Sequence, residues 1–313
     1  MKTTRPVIHV ALIAALAWPT VFFTDAFAQA AQKKVKAAAD PEGSTVRRAL
    51  PASVTVERDI VYARYGAREV KLDLYLPKQP TSAKIPCIVV VHGGGWRNGD
   101  KTRFAHHAAA LAEHGFAAAC IGYRLLPEVE FPAPVVDCKA AVRWVRANAA
   151  KHGLDPDRIA ALGGSAGGHL VAMLGTSDTV ASLEGDGGNP GISSRVQAVV
   201  AMATPADMTR MGDRQNLAAD LARFISPVTH VTKNSAPVLL LHGTKDTLVP
   251  MAQSELLLEK YRQAGAKAEL VKIEGGAHAF WNAAKFDETM KLSLKFFRDT
   301  LTASPAPSPA TQK

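Results

Sequence analysis

From Val54 onward the chain twice alternates apolar and polar residues over a short span. VTVERDIVYAR and EVKLDLYLP both carry β-branched residues at a period of two, which predicts a hairpin with one exposed face at a sheet edge. The next apolar run, IPCIVVV at 85–91, is nearly continuous, as a strand covered on both faces must be. Beyond it, strands and helices take turns. A helix over about 104–115 precedes the strand FAAACIGYR at 116–124. Pro132 and Pro134 then open a long helix whose Ala140, Ala141, Val142, Trp144 and Val145 form an inward stripe, and Gly153 ends it. RIAALGGS at 158–165 is a strand that breaks into a glycine-rich turn. Three more strands follow at 196–204, 236–243 and 268–276, with helices over 251–264, stopped by Gly265, and 287–301.

Eight strands, the later ones joined by helical crossovers, predict an α/β fold: a mostly parallel eight-stranded sheet with helices on both faces. No period of 20–50 residues repeats, so 51–302 reads as one domain. Two irregular stretches interrupt it. The first, 176–195, reads as a surface excursion; the second, 208–235, contains NLAADLARF and reads as a small lid or rim.

The ends of the chain differ in kind. Lys2 and Arg5 precede an apolar run over 6–19, and Ala26-Phe27-Ala28 or Ala28-Gln29-Ala30 offers a small-x-small cleavage site. The run is short for a bilayer span, so 1–30 reads as a signal peptide and the product as periplasmic or secreted, without stable membrane insertion. Residues 31–50 read as a flexible leader, and the Pro/Ser/Ala-rich 303–313 as a disordered tail. The formal charge is +9, but the excess sits near the amino end (Lys33, Lys34, Lys36, Arg47, Arg48) with no aromatic-interleaved basic stripe, which argues against a nucleic-acid partner. Cys87, Cys120 and Cys138 are too few for a disulfide framework and read as buried thiols, with a single bridge of unassigned pairing as the alternative. No metal-ligand spacing is present. Nothing in the sequence fixes an oligomeric state.

The chemistry gathers where strands end. Gly163-Gly164-Ser165-Ala166-Gly167 leaves a buried strand and starts a helix, the setting in which a serine is held at a sharp, strained turn with its hydroxyl above the sheet. The Ala166 amide points at the same spot. His92-Gly93-Gly94-Gly95-Trp96 follows IVVV, and its unshielded Gly94 and Gly95 amides can join Ala166 around one developing negative charge. His92 reads as structural, and His169, too close in sequence to swing over Ser165, as a packed histidine. His106, His107, His114 and His152 fall on helices read as surface-facing, His9 lies in the amino-terminal segment, His230 in the rim, and His242 precedes its glycine at a strand end as His92 does. That leaves His278, in a small-residue loop after the last strand, as the base, and Asp246, after LLL of the preceding strand, as its orienter. The chain order Ser165, Asp246, His278 is that of one serine-hydrolase fold and differs from the orders of two unrelated ones. Asp207, at another strand end, is a possible reserve carboxylate. Trp96, Tyr123, Phe280 and Trp281 leave strand ends and suggest a flat, partly aromatic substrate cleft.

From Val54 to Leu301 the chain resembles the α/β-hydrolase superfamily, in particular carboxylesterases similar to hormone-sensitive lipase and to bacterial acetyl-xylan and feruloyl esterases. The resemblance rests on H-G-G-G-W, G-Y-R-L, F-P-A-P-V-V-D, D-P-D-R-I, G-G-S-A-G-G-H, H-G-T-K-D-T-L-V-P and G-G-A-H-A-F. It implies Ser165 as nucleophile, Asp246 as orienter, His278 as base, and Gly94, Gly95 and Ala166 as oxyanion donors, with Arg124 and Asp137 as a structural ion pair. The implied reaction is hydrolysis of small acyl esters, acetyl or hydroxycinnamoyl, free or on a polysaccharide carrier, with no cofactor or metal. The sequence departs from the lipase-like pattern in lacking a bulky amino-terminal helical cap, so a shallow cleft shaped only by 176–195 and 208–235 is expected. Rival readings are a short-chain lipase, a peptidase of the prolyl oligopeptidase type, and a non-catalytic carbohydrate-binding relative; the last usually loses a triad member, and this chain keeps all three.

Overall fold

The computed structural model describes residues 49–80, 82–211, 217–282 and 284–301. The segments read as signal peptide and tail, and nearly all of the leader, lie outside them. The hairpin forms as expected, β1 (Val54–Tyr65) running antiparallel to β2 (Arg68–Pro77) at one edge of the sheet. Then come β3 (Ile85–Val91), α1 (Ala105–Glu113), β4 (Ala117–Ile121), α2 (Ala133–Ala147), β5 (Leu154–Gly164) and α3 (Ala166–Thr176). The second half adds β6 (Val199–Met202), α4 (Ala219–Phe224), β7 (Val238–Gly243), α5 (Met251–Ala264), β8 (Ala268–Ile273) and α6 (Phe286–Leu301).

The eight strands order as β1-β2-β4-β3-β5-β6-β7-β8, with every pair from β4 to β8 parallel. Side chains of β3 divide at a period of two. Cys87, Val89 and Val91 enter one core with α2, α3 and α5, while Ile88 and Val90 enter the other with α1 and α6. Both faces are therefore covered, which is why this strand carries no polar position; each buried Val or Leu contributes about 1.5–3 kcal/mol. Gly265 closes α5 at φ 71°, the left-handed conformation that costs glycine nothing. The three cysteines are free and buried, and burial pushes the Cys87 thiol up to about 12, which leaves it inert.

Two readings need correction. His106 and His107 do not face solvent; α1 turns them inward against Phe104 and Phe286. The stretch 176–195 is less a free excursion than a strap. Lys139 and Arg143, one turn apart on α2, are wholly buried beneath it and share the Glu184 carboxylate at 2.7 and 3.1 Å. Lys139 also donates to the Ser177 carbonyl, and Arg143 to the carbonyls of Glu184, Gly187 and Gly188. Buried cations are tolerated only with such a full set of acceptors. The strap is thus fastened along α2.

Candidate active site

Parallel register brings the carboxyl ends of the central strands together: Val91 lies beside Gly163, Gly164 beside Met202, and Gly243 beside Ile273. The loops that leave these ends must therefore converge, as ligand-binding loops of open α/β sheets do.

Ser165 sits between β5 and α3 at φ 56°, ψ −121°. A non-glycine residue held there costs on the order of 1–3 kcal/mol, so its surroundings must enforce it. They do. The Ser165 amide donates to the Met202 carbonyl at 2.9 Å, and the Ser165 carbonyl accepts from His169 N at 3.0 Å. A Cβ at Gly167 would lie 2.2 Å from the Val91 carbonyl oxygen, so only glycine lets α3 start this close to β3.

His278 Nε2 lies 2.9 Å from Ser165 Oγ, and His278 Nδ1 lies 2.8 Å from Asp246 Oδ2. All three side chains are almost wholly buried. Asp246 Oδ1 accepts the backbone amides of Leu248 and Val249, each at 2.9 Å. Burial alone would push the Asp246 carboxyl up, but hydrogen bonds from His242 and His278 and the Val249 amide outweigh it and hold it well below the usual carboxylate range. An ionised Asp246 accepts only, so Nδ1 carries the His278 proton and Nε2 presents its lone pair to the serine hydroxyl. Sequence reasoning missed the part of His242. It sits behind the pair, 3.5 Å from Asp246 Oδ2, fixed by Ser254 Oγ at 2.7 Å and the Val249 carbonyl at 3.0 Å. Its only signal was the four-residue spacing to Asp246.

The loop after β3 takes left-handed backbone at Gly94, Gly95 and Trp96 in succession (φ 122°, 61° and 60°). The amides of Arg97 and Asn98 both donate to the Gly94 carbonyl, and a Cβ at Gly94 would meet the Asn98 oxygen at 2.0 Å. Gly94 and Gly95 therefore turn tightly at the strand end next to the one carrying Ser165, and Ala166 opens α3 with one of the amides a helix leaves unpaired. His92 anchors the start of this loop. Its Nδ1 is 2.7 Å from the Gly93 carbonyl, its ring stacks on Tyr123 at 4.4 Å, and the Tyr123 hydroxyl donates to the His92 carbonyl. Burial lowers its pKa to about 4, which keeps the ring neutral.

Arg124 and Asp137 form a fork, with Arg124 Nη2 2.7 Å from Oδ1 and Nε 3.0 Å from Oδ2, and the Arg124 amide adds a bond at 2.8 Å. The guanidinium also covers the Tyr65 ring at 3.4 Å. The aromatic cleft does not form as expected. Trp96, Tyr123, Phe280 and Trp281 are all at most 4% exposed, because their rings pack against the site histidines and each other. Asp207 is also spoken for, capping a short 3₁₀ turn through Thr209 and pairing with Arg210 at 3.1 Å. Among the described residues no cluster of histidine, cysteine and acidic side chains could hold a metal, and no helix is long and apolar enough to cross a membrane.

A serine, histidine and aspartate in hydrogen-bonded series can pass a proton from hydroxyl to imidazole. The profile of the BD-FAE family matches residues 72–261, which hold the glycine loop, Ser165 and Asp246. The chain belongs to the BD-FAE family. Among its relatives is the probable carboxylic ester hydrolase LipM of Mycobacterium tuberculosis, 33% identical over 71% of this chain and 56% of LipM. The chain thus spans little more than half the length of the curated relatives it matches. Solved structures agree on the α/β-hydrolase fold. A truncated carbohydrate esterase from gut microbiota superposes with a TM-score of 0.72 at 32% identity, covering 79% of this chain and 96% of that one. Esterase 2 of Thermogutta terrifontis with propionate bound gives 0.70 at 31%, covering 82% and 97%. This BD-FAE member is an α/β-hydrolase with Ser165, Asp246 and His278 at hydrogen-bonding distance in series.

Proposed function

We propose that the protein is a serine carboxylic-ester hydrolase that works through an acyl-enzyme. Ser165 Oγ attacks the ester carbonyl as its proton passes to His278 Nε2, and the Gly94, Gly95 and Ala166 amides receive the oxyanion. His278 then protonates the departing alcohol, and water activated by the same nitrogen releases the acid. Asp246 keeps the imidazole in the required tautomer and steadies its transient charge. The observation that carries this reading is the unbroken series from Asp246 through His278 to Ser165 at 2.8 and 2.9 Å, ending on a serine at strained backbone angles.

For the substrate we propose a short acyl group, acetyl foremost, on a carbohydrate carrier. The buried state of the four site aromatics leaves them no open ring face for a hydroxycinnamoyl group, which favours the small acyl end of the range. The esterase bound to propionate and the carbohydrate esterase from gut microbiota support the acyl size and the carrier, respectively. We also propose export, on the charged start and apolar run of the first thirty residues. Initial rates on acetylated xylan, feruloylated sugars, p-nitrophenyl esters of rising chain length and peptides test the activity and its range. Acetyl esters should turn over fastest; peptide cleavage without ester cleavage would refute the reading.

A further inference from the structure

We infer that His169 is a positioning residue that fixes the oxyanion loop on the nucleophile helix through the hydrogen bond it accepts from Trp96. This rests on the reading of Ser165 as nucleophile and of the glycine loop as its oxyanion site. The geometry is unusual in leaving the histidine no choice of tautomer. An indole N–H only donates, so the 3.1 Å contact from Trp96 Nε1 makes His169 Nδ1 an acceptor. Nε2 must then carry the proton, which it donates to the Ile225 carbonyl at 2.7 Å. One ring thereby joins three pieces of chain: the helix that begins at Ser165, the loop that carries Gly94 and Gly95, and the rim residue Ile225 after α4.

The glycine loop needs such a tie more than α3 does. Its three left-handed residues lie beyond the last rung of the ladder between β3 and β5. Trp96 is the first side chain after the glycines. It is 3% exposed, meets Phe131 and the His169 ring edge-on at 5.7 and 5.2 Å, and its carbonyl accepts from Leu126 N. His169 stands one turn beyond Ser165 and is fully buried. A shift of Trp96 carries the adjacent Gly95 amide with it. The distance at stake is the one between that amide and the charge that develops on the substrate, which exists only in the transition state.

Two conservative replacements separate the two bonds of the ring. Asparagine places its Oδ1 where Nδ1 stood and keeps an acceptor for Trp96; glutamine places its Nε2 where the histidine Nε2 stood and keeps only the donor for Ile225. Trp96→Phe keeps a buried ring and removes the indole donor alone. His169→Gln and Trp96→Phe should each lower kcat about tenfold, with KM for a short acyl ester unchanged within about twofold. Affinity for a trifluoromethyl ketone, which forms an oxyanion on the serine, should fall by the same factor. His169→Asn should stay within about threefold of the parent, and the Trp96→Phe/His169→Gln double variant should cost no more than either single one. A fall in His169→Asn equal to that in His169→Gln, full kcat in Trp96→Phe, or additive losses would each overturn the inference. Trp96→Phe alone decides if a His169 variant does not fold. Ser165→Ala runs alongside: activity in that variant would sink the nucleophile reading, whereas a dead Ser165→Ala with fully active Trp96→Phe and His169→Gln sinks only the role of His169.

Discussion

Ser165 is held where backbone meets backbone, whereas Asp246 and His278 stand on loops that hydrogen bonds hold in place. On the first side, β5, β6 and α3 close on the serine through main-chain bonds, and Gly167 allows α3 to touch the Val91 carbonyl. On the second side, Asp246 is fixed by two amides and flanked by two imidazoles. Main-chain packing sets a position once and for all, because it fails only when the fold fails. A network of titratable side chains sets a protonation state, which one atom's replacement can undo. Under the proposed mechanism, the nucleophile needs the first kind of support and the base needs the second.

The sharpest way to break this contrast is to change a single side-chain atom on each side. Ser165→Ala deletes the hydroxyl and none of the backbone bonds that enforce its turn. Loss of about 10³-fold or more in kcat is expected with an unchanged melting temperature, the residual rate coming from the amides. A folded variant with near-parental activity would break the proposal, and stoichiometric labelling of Ser165 by a phosphonate would support it directly. Asp246→Asn is the counterpart on the other side. The amide cannot hold His278 in the tautomer that accepts from serine, so a loss on the order of 10³-fold is expected here also. Asp207 offers no rescue, since Thr209 and Arg210 already occupy it. Adding Asp207→Asn to Asp246→Asn should therefore leave the residual kcat where it was; a further large drop would show that Asp207 had moved in.

The same contrast governs what could be read without a structure. The strand-turn-helix around Ser165, the glycines after β3 and the order of the triad are local patterns or strand-end placements, and both survive in one dimension. The burial of Lys139 and Arg143 does not. Their carboxylate, Glu184, lies 45 and 41 residues further along, and until it arrives two cations on a helix look like a solvated face. His106 and His107 were misplaced for the same reason, because Phe286 closes over them from the far end of the chain. The four aromatics were correctly set near the site but wrongly turned outward. Position after a strand end says where a ring begins, and packing against His92, His169 and His278 decides where it points.

Acid should weaken the two sides in different ranges. His92, on the glycine loop, and His169, on α3, are lowered by burial from the ordinary 6.5 to about 4. Above pH ~6.5 both are neutral in the folded and unfolded chains, and their full contribution is present. As pH falls from ~6.5 toward ~4, the unfolded chain binds protons that the folded one refuses, so stability drops, on the order of 3 kcal/mol for each ring. Asp246 is displaced in the same direction, but from the carboxylate range, so its contribution persists down to about 4 and is lost only below it. Urea midpoints at about pH 7.5 and 5 should therefore differ markedly for the parent and less for His169→Asn, which has nothing to protonate. An equal drop in both would show that His169 is not among the groups responsible.

The smallest expected effect comes from the stitching between the two loops of the base side. Thr244 Oγ1 accepts the Gly275 amide at 2.9 Å, beside main-chain bonds from Thr244 N to the Ile273 carbonyl and from Lys245 N to the Gly276 carbonyl. These bonds tie the turn that leads to Asp246 against the turn that leads to His278. Thr244→Val keeps the shape and both main-chain bonds but removes the side-chain acceptor. Thr244 is exposed, so water can take over the freed amide, and the loss in stability should be no more than about 1 kcal/mol. If hydrogen bonds between loops do set the Asp246–His278 geometry, kcat should still fall about two- to fivefold, since a small displacement of a general base costs rate before it costs stability. A kcat that tracks the parent to within error would mean that the main-chain bonds and the close approach of Gly243 to the Gly276 carbonyl, where a Cβ would sit 2.2 Å away, suffice by themselves. The base side would then rest on backbone packing as the nucleophile side does, and the contrast between them would narrow to Asp246 and its two histidines.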